Sequence, residues 1–568
     1  MARRRDTDLV SFDVSYGAGL EDGFDASGGA GDVPGGPERG PSWRDRWRAA
    51  SPRRRRRIVG SAGAALVVAV GGVSVAGAVQ AHVDAERLRE SPGGVVSLDG
   101  DLTEVWSTGG GVAAVLAGGG LVGIDGTEAV ARAVADGAEL WRVELGEAPE
   151  CGPSPRLGSS VEWTLTADVV TCLHGPDGER TATVLHADGA VVGQRDLDPE
   201  RYGADVEVVP AADGALAVAA LETPAWVGRE FDSQQAADEA LARSRDSMVE
   251  AAVHVEDALT GDVRSELDLD DGGLTWSDCA GVAMSGEPGE PERAWILFDG
   301  STRPTATPAV VGYRLCGTAG AVTAAGTALD LKDAIYVGFD SLGTGGDVSP
   351  FPGGGIVVPR GGAGSAVVAE DGSERLADLT RRVLVPSAQV GDPEPEPEAL
   401  AVPDGRYGLV GVDGIEVRWE RELPGDVQVL ARTDGTSVLS VTDYGNDGSG
   451  LGALVGLDDA DGTERWRVEL GEPDGDDGAP YWVQVTSAVT DGGRITAAVT
   501  AATGTTWEAY LLTVDLATGD ERRQDLGTEV FPLLSAVDGH LLLHELDPYG
   551  DPVGDGIAVE TVRVLEPR

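Results

Sequence analysis

Along the chain, short apolar runs alternate with turn residues and with runs in which every second position is hydrophobic. The clearest case is Trp141–Glu147, which recurs letter for letter as Trp466–Glu472, and Trp419–Leu423 keeps the same Trp-x-x-x-Leu spacing. An apolar run ending in Asp precedes each copy, as in Leu121–Asp125. Because side chains on a strand alternate between its two faces, this pattern predicts β-hairpins whose Trp, Val and Leu share one buried face.

The predicted hairpins repeat along most of the chain. Further copies contain the turns Asp257–Asp262 and Asp515–Asp520, and units of about 45 to 55 residues with four strands each predict an all-β chain folded as a β-propeller of four-stranded blades. We expect about eight blades, and the spacing is compatible with seven to nine. Leu102–Ser107 fits a lone outer strand whose three partners lie in Val530–Val564, which predicts closure between the first and last strands.

The apolar run, the Asp-x-x-Thr-Gly turn and the Trp strand resemble the repeat of the pyrroloquinoline-quinone-like (PQQ-like) propeller superfamily. The resemblance covers roughly residues 102–568. It implies that Trp106, Trp141, Trp419 and Trp466 are structural tryptophans that wedge between adjacent blades. It implies no particular activity, because the superfamily includes both quinone-dependent dehydrogenases and cofactor-free scaffolds. No residue of the family's quinone site maps onto this chain, so the chain resembles the non-enzymatic branch.

The N-terminal region differs in composition from the repeats. Residues 58–82 contain no Asp, Glu, Lys or Arg, and this length predicts a transmembrane helix. Residues 1–57 form a predicted disordered cytoplasmic tail with an Arg-rich end, and 83–101 a linker. The arginines before the apolar run predict a single-pass protein of the cell membrane, with its N-terminus in the cytoplasm and its propeller outside. A cleaved signal peptide ending near Ala76–Ala78 is the alternative.

Charge and cysteine content narrow the choice of partner and compartment. The formal net charge of −53 makes nucleic acid a poor partner, because binding it requires Lys and Arg to neutralise phosphates. The cysteines Cys151, Cys172, Cys279 and Cys316 allow three pairings, and the two pairs nearest in sequence close loops of about 21 and 37 residues. An oxidising compartment favours two structural disulfides.

Candidate chemistry is sparse. We assign no catalytic or cofactor-binding residue and expect no cofactor, because nucleophile, haem and quinone motifs are missing from the sequence. Asp474, Asp476 and Asp477 form an oxygen-rich loop and are the candidate Ca²⁺ ligands, although a solvated acidic loop is the alternative reading. The stretch 229–253 is predicted to be a helical insertion at the rim of one blade.

These observations lead to one functional hypothesis and two alternatives. The hypothesis is a membrane-anchored extracytoplasmic propeller that acts as a non-catalytic binding or scaffold module for an unknown protein or envelope partner. The first alternative is a quinone- or metal-dependent dehydrogenase with a divergent site. The second is a transmembrane sensor that responds to an external ligand.

Overall fold

The fold is described from a computed structural model. The chain divides into two units, Met1–Ala78 and Val79–Arg568, and the described residues all belong to the second. They comprise residues 82–568 except for 156–159, 177, 203–205, 222–228, 244–250, 269–279, 286–292, 299–304, 307–309, 316–317, 324–327, 331–348, 351–354, 361–363, 370–374, 380–382, 392–396, 398, 403–407, 414–415, 445–449, 471–481, 504–505, 527–530 and 547–558. The predicted tail, residues 1–57, lies outside them.

Three α-helices occur among the described residues. They are α1 over residues 82–90, α2 (Ser160–Thr164) and α3 (Gln234–Arg243). Helix α3 lies within the predicted insertion 229–253, and the Ser233 hydroxyl accepts a hydrogen bond from the Ala236 amide at 3.2 Å, as an N-cap residue does. Its buried face, which includes Ala237 and Ala240, packs against Ala294.

Strands make up the remainder of the regular structure. The first fourteen are short, with buried inner strands and partly exposed outer ones. They are β1 (Leu102–Gly109), β2 (Val112–Leu116), β3 (Gly120–Asp125), β4 (Glu128–Ala133), β5 (Glu139–Glu144), β6 (Glu150–Gly152), β7 (Val169–His174), β8 (Thr181–His186), β9 (Val191–Asp196), β10 (Val206–Ala211), β11 (Ala215–Leu221), β12 (Glu230–Phe231), β13 (Ala251–Asp257) and β14 (Val263–Asp268).

The strands in the middle of the chain are shorter still, and several have only two or three residues. They are β15 (Ala280–Ser285), β16 (Arg293–Phe298), β17 (Thr305–Ala306), β18 (Val310–Leu315), β19 (Thr318–Thr323), β20 (Ala328–Asp330), β21 (Ser349–Pro350), β22 (Ile356–Arg360), β23 (Gly364–Val368), β24 (Arg375–Leu379), β25 (Val383–Leu384), β26 (Ala388–Gln389) and β27 (Ala399–Ala401).

The C-terminal third contains the longest strands, which are rich in the Val, Leu and Thr that favour pleated structure. They are β28 (Gly408–Asp413), β29 (Glu416–Glu422), β30 (Asp426–Thr433), β31 (Thr436–Tyr444), β32 (Gly450–Asp458), β33 (Glu464–Glu469), β34 (Trp482–Thr490), β35 (Arg494–Thr503), β36 (Thr506–Asp515), β37 (Glu521–Asp525), β38 (Phe531–Val537), β39 (His540–Leu546) and β40 (Val559–Pro567).

The strands form many four-stranded antiparallel sheets, most of them meanders such as β2-β3-β4-β5 and β6-β7-β8-β9. The described residues contain seven four-stranded sheets, one three-stranded sheet and one nine-stranded sheet. The last holds two meanders, β30–β33 and β34–β37, joined by a single parallel pair between Gly450 and Trp482. The all-β prediction is confirmed, and the repeated sheets are compatible with propeller blades. The blade count stays a prediction.

One sheet contains both ends of the repeat region. Its strand order is β1-β40-β39-β38, and β1 pairs antiparallel with β40 from Leu102 opposite Pro567 to Gly109 opposite Thr561. We call it the N–C sheet. Its pairing is the one expected for Leu102–Ser107 from the sequence, whereas closure of all the sheets into one ring stays a prediction.

Residues 92–98, ahead of β1, form an extended strap across the ends of two sheets. Backbone hydrogen bonds of 2.8 to 2.9 Å join it to the nine-stranded sheet and to the N–C sheet: the Gln389 amide to the Pro92 carbonyl, the Thr490 amide to the Gly93 carbonyl, and the Val96 amide to the Gly539 carbonyl. Gly93 has a positive φ of 65° and lies so close to Ala388 that a side chain would collide with it. The strap therefore requires glycine at this position.

The hydrophobic core consists of layers between neighbouring sheets. One layer joins β2 and β3 to the N–C sheet, the next joins β2–β4 to β7 and β8, and a third joins β7 and β8 to β11. In the C-terminal third, β27–β29 pack on β30–β32, which pack on β34–β36, which pack on the N–C sheet. The N–C sheet, β2–β5, β6–β9 and the two meanders of the nine-stranded sheet therefore bury their two faces against different neighbours, as blades do.

The predicted localisation in the cell membrane is corrected by the structure. No helix among the described residues is both long enough and apolar enough to cross a bilayer. The segment predicted to span the membrane, residues 58–82, lies outside the described residues except for His82, the first residue of α1.

Candidate functional site

The turn that follows the third strand of a sheet is built by its Asp, Thr and Gly residues. In Asp515–Asp520 the Asp515 carboxylate accepts hydrogen bonds of 3.0 Å from the amides of Ala517 and Thr518, which lower its pKa. The Gly519 amide returns to the Asp515 carbonyl at 2.8 Å, with a φ of 76° that glycine adopts without strain. This geometry explains the Asp-x-x-Thr-Gly pattern.

Each of the four predicted structural tryptophans contacts such a turn in the following sheet. The indole N–H donates to the backbone carbonyl of the residue just after the third strand, at 2.7 to 2.9 Å. The pairs are Trp106 with Val134, Trp141 with Ala187, Trp419 with Asp459, and Trp466 with Leu516. The side chains of Trp419 and Trp466 are buried, and those of Trp106 and Trp141 half-buried. Each indole therefore lies against the turn of the following sheet or meander, and its role as a wedge between propeller blades stays a prediction.

A glycine of the same turn lies against each indole. Gly462, with a φ of 69°, is packed so closely that an added Cβ would come within 2.6 Å of the Trp419 ring. Gly137, Gly189 and Gly519 have the same relation to the other three tryptophans. Turn and tryptophan therefore form one joint, repeated at four junctions between sheets.

The junction between the sheet β6–β9 and the sheet β10-β11-β13-β14 is built differently. Gly193 occupies the place of the tryptophan, and Leu259 of the next sheet fills the space above it. The carbonyl of Ala258, equivalent to the acceptors at the other junctions, receives its hydrogen bond from the Arg195 guanidinium at 2.8 Å. An arginine thus replaces the indole N–H.

Arg195 belongs to a polar cluster around the buried carboxylate of Glu256. The Tyr202 hydroxyl donates to Glu256 at 2.6 Å and Arg201 at 2.7 Å, and Arg195 also donates to it. The His254 ring lies 3.3 Å from the second carboxylate oxygen. Every oxygen of the carboxylate is therefore paired, which a buried charge requires.

The charges of this cluster depend on one another. Burial alone raises the pKa of Glu256, but hydrogen bonds from His254, Tyr202 and Arg195 outweigh it and lower the pKa to about 2. Burial, followed by the hydrogen bond to Glu256, raises the pKa of Tyr202. Glu256 is therefore ionised at every physiological pH, and the cluster is a permanent ion network.

A second polar group lies where the N–C sheet meets helix α2. The Ser535 hydroxyl and His544 Nε2 are 2.7 Å apart, and the Trp163 indole lies against the imidazole with ring centroids 4.6 Å apart. Burial lowers the pKa of His544 to about 3, so the imidazole is neutral. A neutral histidine beside a serine is the arrangement of an activated nucleophile. Both side chains are about 1% exposed, however, so no substrate reaches them in this structure.

A third buried group joins the sheet β25-β27-β28-β29 to its neighbour. Arg432 lies 3.4 Å from the Asp459 carboxylate and donates to the Pro397 carbonyl at 2.8 Å. Asp459 also accepts from the Ser437 hydroxyl. Burial lowers the pKa of Arg432 and raises that of Asp459, as expected for a charge pair removed from water.

The predicted disulfide and metal residues have different outcomes. Cys151 and Cys172 face each other on β6 and β7 and form a disulfide, so one of the two pairs nearest in sequence is confirmed. Cys279 and Cys316 lie outside the described residues, as do the candidate Ca²⁺ ligands Asp474, Asp476 and Asp477. Within the part of the chain that the structure describes, no three acidic, His or Cys side chains are grouped as metal ligands.

The outermost strand of most sheets carries a β-bulge just before the tryptophan position. At the bulge one residue has no partner on the neighbouring strand, as with Arg465 between Glu464 and Trp466. In three sheets the bulge residue is an arginine paired with the Asp that ends the third strand. These pairs are Arg264 with Asp257, Arg418 with Asp413, and Arg465 with Asp458.

The bulge residue is apolar in three successive sheets. It is Val105 in the N–C sheet, Leu140 in β2–β5 and Val192 in β6–β9. Val191 beside Val192, and Val263 in the sheet after that, are exposed as well, and the exposures of the five residues range from 44% to 54%. We call these residues, Val105, Leu140, Val191, Val192 and Val263, the rim stripe.

The sequence contained a signal for this surface that pattern analysis missed. The residue immediately before the tryptophan is apolar at Val105 and Leu140. At the two other tryptophans the same position is occupied by Arg418 and Arg465. Strict alternation places such residues on the face opposite the tryptophan, but it does not reveal the bulge. By contrast, the Glu256 cluster joins segments about 55 residues apart, and the Ser535–His544 pair lies across the hairpin β38–β39 and is covered by Trp163 from a distant segment, so neither had a recognisable sequence pattern.

Comparison with known proteins gives similarity of fold only. The chain is similar to a quinohemoprotein alcohol dehydrogenase from Comamonas testosteroni, with 12% identity over 85% of this chain and 81% of that one and a TM-score of 0.34. It is similar to the WD40 domain of SCAP from fission yeast, with 9% identity, coverage of 82% and 98%, and a TM-score of 0.33. The dihydro-heme d1 dehydrogenase NirN shows 10% identity, coverage of 79% and 75%, and a TM-score of 0.33. No family model and no curated protein matches the chain. With TM-scores this low, none of these activities is transferred, and membership of the PQQ-like superfamily stays a prediction.

Proposed function

We propose that this chain is a β-propeller binding module that holds a protein partner on a rigid surface and catalyses no reaction. The observation that carries the proposal is the joint between a tryptophan and the turn of the next sheet, repeated at four junctions with the same hydrogen bond. Such joints fix the sheets relative to their neighbours, so that side chains on different sheets keep a constant spacing. A constant spacing is what a recognition surface needs, because less order is lost on binding.

The charge of the chain favours a basic partner. With a net charge of −53, the protein attracts cationic surfaces and accelerates their association, although salt weakens the effect beyond about 8 Å. The buried ions described above are neutralised by their own partners, as with Glu256 between Arg195 and Arg201. The surface charges are therefore the ones available for recognition.

The test is to identify a partner by crosslinking to the full chain, and then to reconstitute the complex from purified components. We expect a complex of defined stoichiometry whose affinity falls as salt is raised from 50 to 500 mM, roughly tenfold or more. The control is the Trp419→Ala variant, in which one joint is lost and affinity should fall without any change at the surface. Dye reduction by the purified protein after addition of PQQ and Ca²⁺ would overturn the proposal in favour of a dehydrogenase.

A further inference from the structure

We propose that the rim stripe is the docking surface for one basic, amphipathic helix of a partner protein. The inference rests on the proposed function and specifies where and how the partner is held. It starts from the exposure of apolar side chains. Eight large hydrophobic residues are exposed among the described residues, and five of them form the rim stripe. Single exposed apolar residues are common on proteins, but Val105, Leu140 and Val192 occupy the same bulge position on three successive sheets. Val191 and Val263 occupy the position just before the bulge on two neighbouring sheets.

The contrast with other sheets shows that an exposed apolar side chain is not a requirement of the bulge. At the equivalent position, Arg418 and Arg465 pair with Asp413 and Asp458 and keep the surface polar. Val105, Leu140 and Val192 replace this ion pair by an apolar side chain in three sheets that follow one another. The fold therefore tolerates a charged residue at the bulge where the third strand ends in an aspartate. In the three sheets with an apolar bulge residue the third strand ends in Pro567, Ala133 or His186 instead, so this ion pair is absent from them.

The four sheets that carry the rim stripe are neighbours. The core layers join the N–C sheet to β2–β5, that sheet to β6–β9, and that one to β10-β11-β13-β14. Packed sheets lie about 10 Å apart, so the stripe from Val105 to Val263 extends over roughly 30 Å. A helix of about 20 residues, with a rise of 1.5 Å per residue, covers this distance.

The bulges themselves favour a helix over an added strand. A bulge removes a residue from the hydrogen-bonding register and twists the strand, which prevents another strand from pairing along the sheet edge. Each strand that carries the stripe is interrupted in this way, at Val105, Leu140, Val192 and Arg264. Side-chain contacts with an apolar helix face need no backbone pairing.

The charged residues beside the rim stripe determine which charge the partner helix must carry. Exposed acidic residues on the same four strands include Glu104, Glu139, Glu144, Asp196 and Glu266. Glu104 pairs with Arg563 and Glu139 with Arg142, so Glu144, Asp196 and Glu266 supply the negative border. The basic residues of these strands are already engaged: Arg142 with three carboxylates, Arg195 with Glu256 and Arg264 with Asp257. An apolar stripe with acidic borders is complementary to a helix that has Leu on one face and Arg or Lys on both sides of it.

The experiment uses two synthetic peptides of 20 residues and identical Leu, Arg and Ala composition. One is arranged as an amphipathic helix, and in the other the same residues have no helical period. The full chain is compared with the variant V105T/L140T/V192T/V263T, in which threonine keeps the β-branched shape of the three valines and removes apolar surface at all four positions. The matched control is Val417→Thr, which changes an exposed valine, 41% accessible, on an outer strand outside the stripe. Circular dichroism and the urea midpoint verify that both variants fold.

The proposal predicts that the wild-type chain binds the amphipathic peptide about tenfold more tightly than the rearranged one. The quadruple variant should lose this difference, and Val417→Thr should keep it. Hydrogen exchange in the wild-type complex should slow in β1, β5, β9 and β14. Equal binding of both peptides, or an unchanged preference in the quadruple variant, would overturn the inference.

Two other occupants of the stripe are separated by the same variants. Self-association of the wild-type chain that the quadruple variant abolishes, measured by analytical ultracentrifugation, would assign the stripe to a second copy and overturn a partner helix. Binding to phosphatidylcholine vesicles that the variant abolishes would assign it to lipid and overturn it equally. If a reconstituted partner binds the wild-type chain and the quadruple variant equally, the proposed function is retained and the rim stripe is refuted as its docking site.

Discussion

Replacing Trp419 by alanine tests whether the joint between neighbouring sheets holds them together. The indole is 8% exposed, so the truncation removes a buried aromatic ring and leaves a cavity, which costs about 3 to 5 kcal/mol. The Asp459 carbonyl also loses its donor, for about 1 kcal/mol more. We expect a total of about 4 to 6 kcal/mol, and a smaller cost for Trp419→Phe, which keeps a ring and loses the N–H.

The glycine side of the joint gives an independent measurement. Gly462→Ala places a Cβ within 2.6 Å of the Trp419 ring at a φ of 69°, whereas Gly126→Ala has a similar φ of 65° and no atom within 4 Å. Both substitutions carry the cost of a left-handed backbone, about 1 to 2 kcal/mol. The collision adds to the cost at Gly462 alone. When Trp419 is also replaced by alanine, the added cost of the collision should vanish. A double-mutant cycle of Trp419→Ala and Gly462→Ala should therefore show a coupling free energy of about 1 kcal/mol or more.

The assay is urea unfolding followed by far-UV circular dichroism, with hydrogen exchange of β29, β32 and β33 as a local measure. Faster exchange in these strands, and not in β2–β5, is expected for Trp419→Ala, because the joint stabilises its own two sheets. The reasoning would be refuted by equal costs for the substitutions at Gly462 and Gly126, or by additive effects in the double variant.

Three further outcomes follow from the buried groups. Glu256 has a folded pKa of about 2, below its unfolded value, so its ionisation stabilises the fold above about pH 4.5. In urea unfolding, wild type should be more stable than Glu256→Gln by about 3 kcal/mol at pH 7. This difference in the free energy of unfolding should disappear as the pH falls towards 2. His544 is a base whose pKa is lowered in the folded protein, so below about pH 6.5 its imidazole is protonated in the unfolded chain but not in the folded one, and folding becomes less favourable. The urea midpoint of wild type should therefore fall between pH 7 and 5 by more than that of His544→Gln. An equal fall would contradict a neutral imidazole. The double variant C151A/C172A should be less stable by about 3 kcal/mol, the value for a disulfide that closes a loop of 21 residues. Reduction of the wild-type protein should give the same loss of stability. A smaller loss would mean that the reductant does not reach the disulfide.

How far the sequence predicts this molecule depends on the range of the interaction. The copy at Trp466 predicts a hairpin, a turn and a buried tryptophan because strand alternation and turn chemistry are local, and all three are present. The copy at Trp141 differs, because β4 lies between Leu121–Asp125 and the tryptophan strand and forms the hairpin with it, and Trp141 is half-buried. The pairing of β1 with β40 was predictable as well, because the repeat leaves one unpartnered strand at its N-terminal end and three strands without a fourth at its C-terminal end. The Arg195 substitute for an indole was not, since the arginine comes from a different register position and its acceptor lies 63 residues away. Helix α2 has five residues and no apolar period, so its position against the N–C sheet follows from tertiary packing alone.

The N–C sheet has a consequence for how the protein is made. At 5 to 20 residues per second, a ribosome needs roughly half a minute to two minutes for a chain of this length. During most of that time β1 has already been synthesised, while β40, its only neighbour in the sheet, has not. The sheets between them can form in turn as they are synthesised, but the N–C sheet forms last, because it needs β40. A nascent chain truncated before Val559 would leave an open edge at β1, exposed to chaperones and to aggregation, however well the rest of the chain had folded.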